Sequence, residues 1–493
     1  MENIKTVPST EKSLVVESIS EIKIPTENVI KKKSKKDREK IRKLLIETFD
    51  TPSLKAIVKT ILTPHLTLKV IFLIFVVGLS SYVSYLVVQS IMDYLNYGVS
   101  TTSRTFYETP TLFPKTTFCN LNMYQTEYAF KKAAYDFSVL SNEERKKLGH
   151  DLDDILFDCY FNVEVCDSTD FIWSWDDFYG NCFTFNTGLD SNQNKTVLKE
   201  SNMPGFFYGL QLTFYVNVFE ELLFQTYQLG PVINYLGAVI RVGNSSYETL
   251  YSYGGGILVS AGSVTNIVVS REFNSMLPKP YSNCEIDSSS PKFIKGMDLY
   301  NLILESNYEY TQQLCFSQCY QKYIIQKYNC SFLLIPSLFN VSKCQMNYSI
   351  NIWYSGEILD SKFINENCIS SCPLECDQTL YETTTSYSLS NGYLYVPSLQ
   401  SNLNLSGDFI NRTLDSTMAR ESIVQVNIFY DRLLYTLTEE SPQWDAVSLL
   451  GSIGGNLGLF LGVSFFSLCE IVEVIVEIFF VFKQRKINVH PVE

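Results

Sequence analysis

Histidine is scarce in this chain: His65, His150 and His490 are all it holds in 493 residues. No HExxH, GxSxG or phosphate-loop pattern occurs either. Little remains for metal-dependent or nucleophilic catalysis, so the chain reads as no enzyme, with no metal and no cofactor. Formal net charge is −13, and no nucleic-acid partner is expected. The run Gly451-x2-Gly454-Gly455-x2-Gly458 lacks the GxGxxG spacing and sits inside an apolar segment, which excludes a phosphate cradle. Residues 1–69 contain no apolar signal-peptide core, so the first apolar segment is expected to act as a signal anchor. No internal repeat is found.

Two long apolar segments are what the chain does have. Residues 70–92, between Lys69 and Asp93, carry no charge and read as a first membrane span. Residues 446–482 lack Lys and Arg and are apolar apart from small polar residues and Glu470, Glu473 and Glu477. At about 1.5 Å per residue this stretch reaches roughly 55 Å, against about 30 Å of hydrocarbon, so its glycines are expected to break or tilt it. Gly454, Gly458 and Gly462 recur every four residues on one helix face, where a neighbouring backbone can approach. The three Glu share a face as well. One intramembrane carboxylate often snorkels or pairs with another helix. Three on one face, with no basic residue before Lys483, point to a water-lined cation pathway.

Charge sets the orientation. Residues 1–69 hold 15 basic and 9 acidic residues, residues 483–493 hold 3 and 1, and the middle nets −21. Basic ends and an acidic middle give cytoplasmic termini and an extracellular centre in the plasma membrane. Sequons at Asn194, Asn244, Asn329, Asn340, Asn347, Asn404 and Asn411 all fall between the spans. So do twelve of the thirteen cysteines, all but Cys469. An even number in a glycosylated ectodomain reads as six disulfides rather than metal ligands, with the pairing left open at this level. The expected division is a cytoplasmic region 1–69, a first span 70–92, an ectodomain 93–443, a second span 444–482 and a tail 483–493. Lys31 to Lys43 carries nine basic residues against two acids, suited either to anionic membrane lipid or simply to fixing topology. Within the ectodomain, Phe206–Leu223 and Gly256–Val269 read as strands, and Asn142–Phe157 and Asp298–Tyr328 as helices.

Several motifs in one order then resemble the epithelial sodium channel/degenerin family. They are Leu112-Phe113-Pro114-Lys115-Thr116-Thr117-Phe118-Cys119-Asn120, Tyr179-Gly180-Asn181-Cys182-Phe183-Thr184-Phe185-Asn186-Thr187-Gly188, Leu277-Pro278-Lys279-Pro280-Tyr281-Ser282-Asn283-Cys284, the cysteine ladder from Cys315 to Cys376, and Gly462-Val463-Ser464. The resemblance covers roughly residues 45–485. It implies a trimer with two transmembrane α-helices per subunit and a large disulfide-rich α+β ectodomain of palm, β-ball, finger, thumb and knuckle. It also implies the pairs Cys119–Cys182, Cys159–Cys166, Cys284–Cys376, Cys315–Cys372, Cys319–Cys368 and Cys330–Cys344.

By the same resemblance Gly462, Val463 and Ser464 form the selectivity filter, and Gly451, Ser452, Gly455, Gly458, Glu470, Glu473 and Glu477 line the pore. Tyr97 and Tyr281 are expected to touch at the wrist. Two positions depart from the family. Lys55-Ala56 stands where it has His-Gly, a gating motif, and Ser452 stands where acid-sensing members carry Asp.

The implied function is a ligand-gated cation channel subunit passing sodium or calcium, in a homo- or heterotrimer with related subunits. An extracellular peptide is the expected ligand, with the branch gated by amidated Arg-Phe neuropeptides as the comparison. Proton gating and constitutive opening are the alternatives within the family. A non-conducting two-span glycoprotein receptor is the alternative outside it. ATP-gated channels rank lower, since they lack the cysteine ladder and the GxS motif.

Overall fold

The chain divides into two units, Tyr97–Gln443 and a helical unit built from the segments on either side. The computed structural model describes residues 65–122, 140–176, 179–216, 236–244, 256–286, 297–306, 308–332, 335, 337–345, 352, 361–401, 414–464 and parts of 469–480. Lys55, Ala56, Asn347, Asn404, Asn411, Glu470 and Glu477 lie outside the described residues.

Unit Tyr97–Gln443 is built on two sheets. One runs β15 (Asp377–Leu389), β12 (Ser263–Ser275), β16 (Ile423–Pro442), β9 (Leu210–Tyr215), β4 (Leu156–Phe161), β5 (Glu164–Val165), with β1 (Val99–Tyr107) also paired to β16. β12 and β16 are parallel, and the other pairs are antiparallel. The 20-residue β16 serves both halves of this sheet. Its first half buries Val424, Val426, Ile428 and Tyr430 at every second position. Its second half forms a ribbon with β1, from Val99 opposite Pro442 to Tyr107 opposite Leu434.

The second sheet runs β11 (Ile257–Ser260), β10 (Gly237–Gly243), β3 (Lys115–Asn120), β7 (Gly180–Phe185), β6 (Phe171–Asp176). Every residue of β3 and β7 is buried. Two short pairs stand apart, β2 (Thr111–Leu112) with β8 (Glu200–Ser201) and β13 (Cys284–Ile286) with β14 (Leu374–Glu375). Phe118 of β3 stacks on Phe214 of β9 with ring centres 4.8 Å apart, joining the two sheets through one aromatic core. Phe113 is fully buried, 5.0 Å from the Phe161 ring. The Phe-Pro motif therefore packs this core.

Two expected helices are broken. Asp298–Tyr328 is not continuous: α4 (Asp298–Leu304) and α5 (Gln312–Tyr328) are separate. The Ser306 hydroxyl donates to the Ile303 carbonyl, and Thr311 caps a new start by accepting from the Leu314 N–H. Asn142–Phe157 likewise splits into α2 (Asn142–Lys146), opened by a Ser141/Glu144 capping box, and α3 (Leu152–Ile155). Leu156 then enters β4, because its ladder partner is Phe214. Among the strand expectations, Phe206–Tyr208 is a 3-10 turn ahead of β9, and Gly256–Val269 holds two strands turned at Ala261-Gly262.

All six disulfides are the pairs the resemblance implies. Cys315–Cys372 and Cys319–Cys368 fasten α5, whose own apolar clusters are small. Cross-links of this kind substitute for a core that a short helical subdomain cannot build.

In the helical unit, α1 (Leu66–Leu95) runs four residues earlier and three later than the expected span. Only Val83 and Ser90 of its side chains are buried. Among the described residues it is the one helix long and apolar enough to cross a membrane. α6 (Ala446–Leu461) is apolar but has 16 residues, about 24 Å, which by itself falls short of the hydrocarbon thickness.

Candidate functional site

The GxS motif lies at the end of α6, and local chemistry puts the break there. Asp445 opens the helix, its carboxylate accepting the Ser448 N–H at 2.6 Å. No Pro interrupts α6, and the helix ends where Gly462 turns left-handed, φ 69° and ψ 16°. A side chain resists that conformation, and glycine does not. The Gly462 N–H still reaches the Gly458 carbonyl at 3.1 Å, and the Val463 N–H reaches back to Leu457 at 3.3 Å. Val463 and Ser464 then lie outside the helix, although the apolar sequence continues.

α6 has two distinct stripes. Ser452 and Phe460 face α1: Ser452 Oγ sits 3.2 Å from Ser90 Oγ, and the Phe460 ring meets Tyr82 edge-on at 5.4 Å. Ser452, expected in the pore lining, is thus engaged by a helix of the same chain. Among the described residues the glycine stripe is uncovered. Gly451, Gly454, Gly455 and Gly458 are exposed, and a Cβ at the first three would meet nothing within 4 Å. Glu473 is exposed on a further helical stretch, beside Val472.

The second group of expected residues is in the unit Tyr97–Gln443. Tyr97 and Tyr281 meet edge to face, ring centres 5.5 Å apart at 87°. Tyr97 has a positive φ of 51°, and the Gln443 N–H donates to the next carbonyl, that of Gly98, at 2.9 Å. The loop carrying Tyr281 is held to β16, since the Leu277 N–H donates to Glu440 at 3.0 Å. Of the sequons described, Asn194, Asn329 and Asn340 are exposed, whereas the Asn244 amide is half-buried and donates to Glu309 at 3.4 Å.

Sequence reasoning missed a buried cation. Arg271 of β12 is 5 % exposed, pairs with Glu108 just beyond β1, and lies over the Phe273 and Tyr435 rings. A lone Arg in the alternating strand Val268-Val269-Ser270-Arg271-Glu272-Phe273 was the available signal. Electrostatics elsewhere are local. Burial pushes His150 down to about 4. Burial also pushes Glu309 and Glu375 up, with repulsion from Glu375 adding to the effect on Glu309. Among the described residues no cluster of His, Cys, Asp or Glu could hold a metal.

This geometry meets a clear family match. The family described as amiloride-sensitive sodium channel matches residues 49–147 and 131–474. The chain belongs to that family. Within it, the chain is 26% identical to the epithelial sodium channel subunit beta of Neoceratodus forsteri, over 69% of this chain and 49% of that protein. It is 29% identical to the epithelial sodium channel subunit alpha of Mus musculus, over 66% and 43%. It is 25% identical to degenerin mec-4 of Caenorhabditis briggsae, over 70% and 41%. The chain spans about half the length of the curated relatives it matches.

Proposed function

We propose that this chain is a pore-forming subunit of a plasma-membrane cation channel that passes sodium or calcium. In this reading α1 is the first span, and α6 with the apolar stretch to residue 482 is the second. Both termini are cytoplasmic, and three related subunits, identical or not, surround the pore. The observation that carries it is the left-handed break at Gly462 inside an apolar run that contains three carboxylates and no basic residue. At such a break, backbone carbonyls and the Ser464 hydroxyl replace part of a cation's hydration shell. Rings of Glu470, Glu473 and Glu477 on the cytoplasmic side then favour cations and repel chloride. The uncovered glycine stripe of α6 gives neighbouring subunits a surface to approach closely.

The channel is opened in this reading by an extracellular peptide. Proton sensing near neutrality usually draws on histidine. The one histidine described in the middle unit, His150, is buried and held neutral. Recording from cells that express the chain, alone and with related subunits, tests the reading. Cation currents evoked by a neuropeptide are expected, with little response to a step from pH 7.4 to pH 5. Surface expression without current in any combination would favour a non-conducting receptor.

A further inference from the structure

α5 runs directly into a sequon, Asn329-Cys330-Ser331. Asn329 caps the helix in the left-handed region, and its N–H donates to the Ile325 carbonyl at 2.9 Å. Asparagine is one of the few residues at ease there. Its side chain is exposed, so the fold leaves room for a bulky glycan.

The other two residues of the sequon are taken up by the fold. Cys330 is bonded to Cys344, 14 residues on. Ser331 is 1 % exposed. Its N–H donates to the Ser342 carbonyl at 2.9 Å, and its carbonyl accepts the Cys344 N–H at 2.8 Å. The Ser331 hydroxyl is turned the same way and donates to the Ser342 carbonyl at 3.4 Å.

Glycan transfer needs the Asn amide and the hydroxyl two residues on to be presented together. The amide nitrogen attacks C1 of a lipid-linked oligosaccharide. An N–C bond forms, the C1–O bond breaks, lipid pyrophosphate leaves, and the amide gives up one proton to the transferring enzyme's base. With Ser331 buried, the closed loop offers only half of this sequon. Asn329 is therefore open to transfer only before Cys330 and Cys344 join. Joining has its own co-reactant: two thiols lose two protons and two electrons to a disulfide-bearing oxidoreductase, which leaves as a dithiol.

Two other sequons keep their hydroxyls. Asn340-Val341-Ser342 lies inside the same disulfide loop, yet all three residues are exposed. Asn194-Lys195-Thr196 is exposed throughout and holds no cysteine. The timing at Asn329 is close. Cys330 precedes Cys344 by 14 residues, about 1–3 s of synthesis at about 5–20 residues per second. Disulfides form in seconds or longer.

We propose that closure of Cys330–Cys344 decides whether Asn329 carries a glycan, so that oxidation rate during synthesis sets the glycan count at the end of α5. The proposal rests on the reading that the middle unit is extracellular.

The test uses the full-length chain in expressing cells and harvests all of it, whether or not it reaches the surface. Enzymatic deglycosylation in heavy-oxygen water marks each occupied site for mass spectrometry. In the natural sequence Asn329 is expected to be occupied in only a fraction of chains. Cys344→Ser should raise that fraction to near completion, with Asn340 and Asn194 unchanged. A reductant pulse during synthesis should do the same to the natural sequence, with no substitution to disturb folding.

Equal occupancy of Asn329 with and without closure overturns the proposal. So does an equal rise at Asn340, which would make loop shape and not the burial of Ser331 the cause. Asn194 and Asn329 both empty under all conditions would remove the extracellular reading, and the proposal with it. Asn194 occupied beside an unresponsive Asn329 removes the proposal alone.

Discussion

α5 and α6 are nearly equal in length, and each ends at a left-handed residue, Asn329 at φ 57° and Gly462 at φ 69°. Their surroundings differ completely. α5 buries Leu314, Cys315, Gln318, Cys319, Tyr320, Gln321 and Ile324, and two disulfides fasten it. α6 buries no residue, although it is the more apolar of the two. The chain has used up the sticky surface of α5 and kept that of α6. A largely apolar helix that meets only α1 along one stripe, among the described residues, needs lipid or another subunit to cover the rest. The two helices are thus held in different ways, α5 by disulfides and a buried face, α6 without either.

Breaking the supports should separate the two most sharply. Losing Cys315–Cys372 through Cys315→Ser should cost about 2–5 kcal/mol and appear as lost surface delivery on biotinylation. Glycine-stripe substitutions in α6, such as Gly451→Ala, should leave delivery near normal. Equal loss of delivery from both would erase the distinction.

Acid should act on the middle unit through its buried groups, and on α6 only at its Asp445 cap. His150 is neutral when folded and resists protonation until about pH 4, while the unfolded imidazole accepts a proton near its ordinary 6.5. Stability is therefore full above pH 6.5 and lost as pH falls toward 4, by at most about 3 kcal/mol. Glu309 and Glu375, pushed up by burial, have the opposite sign and add stability as pH falls through their raised range. Thermal melts against pH should lose most of the acid slope in His150→Gln.

The two caps sharpen the contrast. Gly462→Ala forces a Cβ into the left-handed region, at about 1–2 kcal/mol, and should alter current at normal surface levels. Asn329→Gly at the end of α5 should be neutral or slightly stabilising, with one sequon lost. The smallest effect belongs to the wrist. Tyr97→Ala and Tyr281→Ala should show a coupling of about 0.5–1.5 kcal/mol in a double-mutant cycle on agonist sensitivity, with independent effects arguing against a joint role.

Hydropathy made the apolar segments legible, since a run such as Val70 to Met92 has no soluble explanation as simple. The cysteine count was legible too, but twelve cysteines admit many pairings, and only the motif order chose among them. The break at 305–311 was not visible in periodicity, because it is made by two hydroxyls, Ser306 and Thr311, whose effect depends on which backbone group each reaches. Leu156 looked helical because its strand partner, Phe214, is far away in sequence. Val163 in a left-handed turn contradicts propensity outright. In the site, the glycine face was readable, whereas the contact of Ser452 with Ser90 needed the second helix to be present.

The central claim is that the break at Gly462 sets which ion passes. Ser464→Cys, recorded under bi-ionic sodium and potassium in a subunit combination that conducts, addresses it directly. A shifted reversal potential, with surface expression unchanged, is the predicted result. A reversal potential identical to that of the unmodified channel, with the mutant subunit shown to be in the conducting assembly, would contradict it.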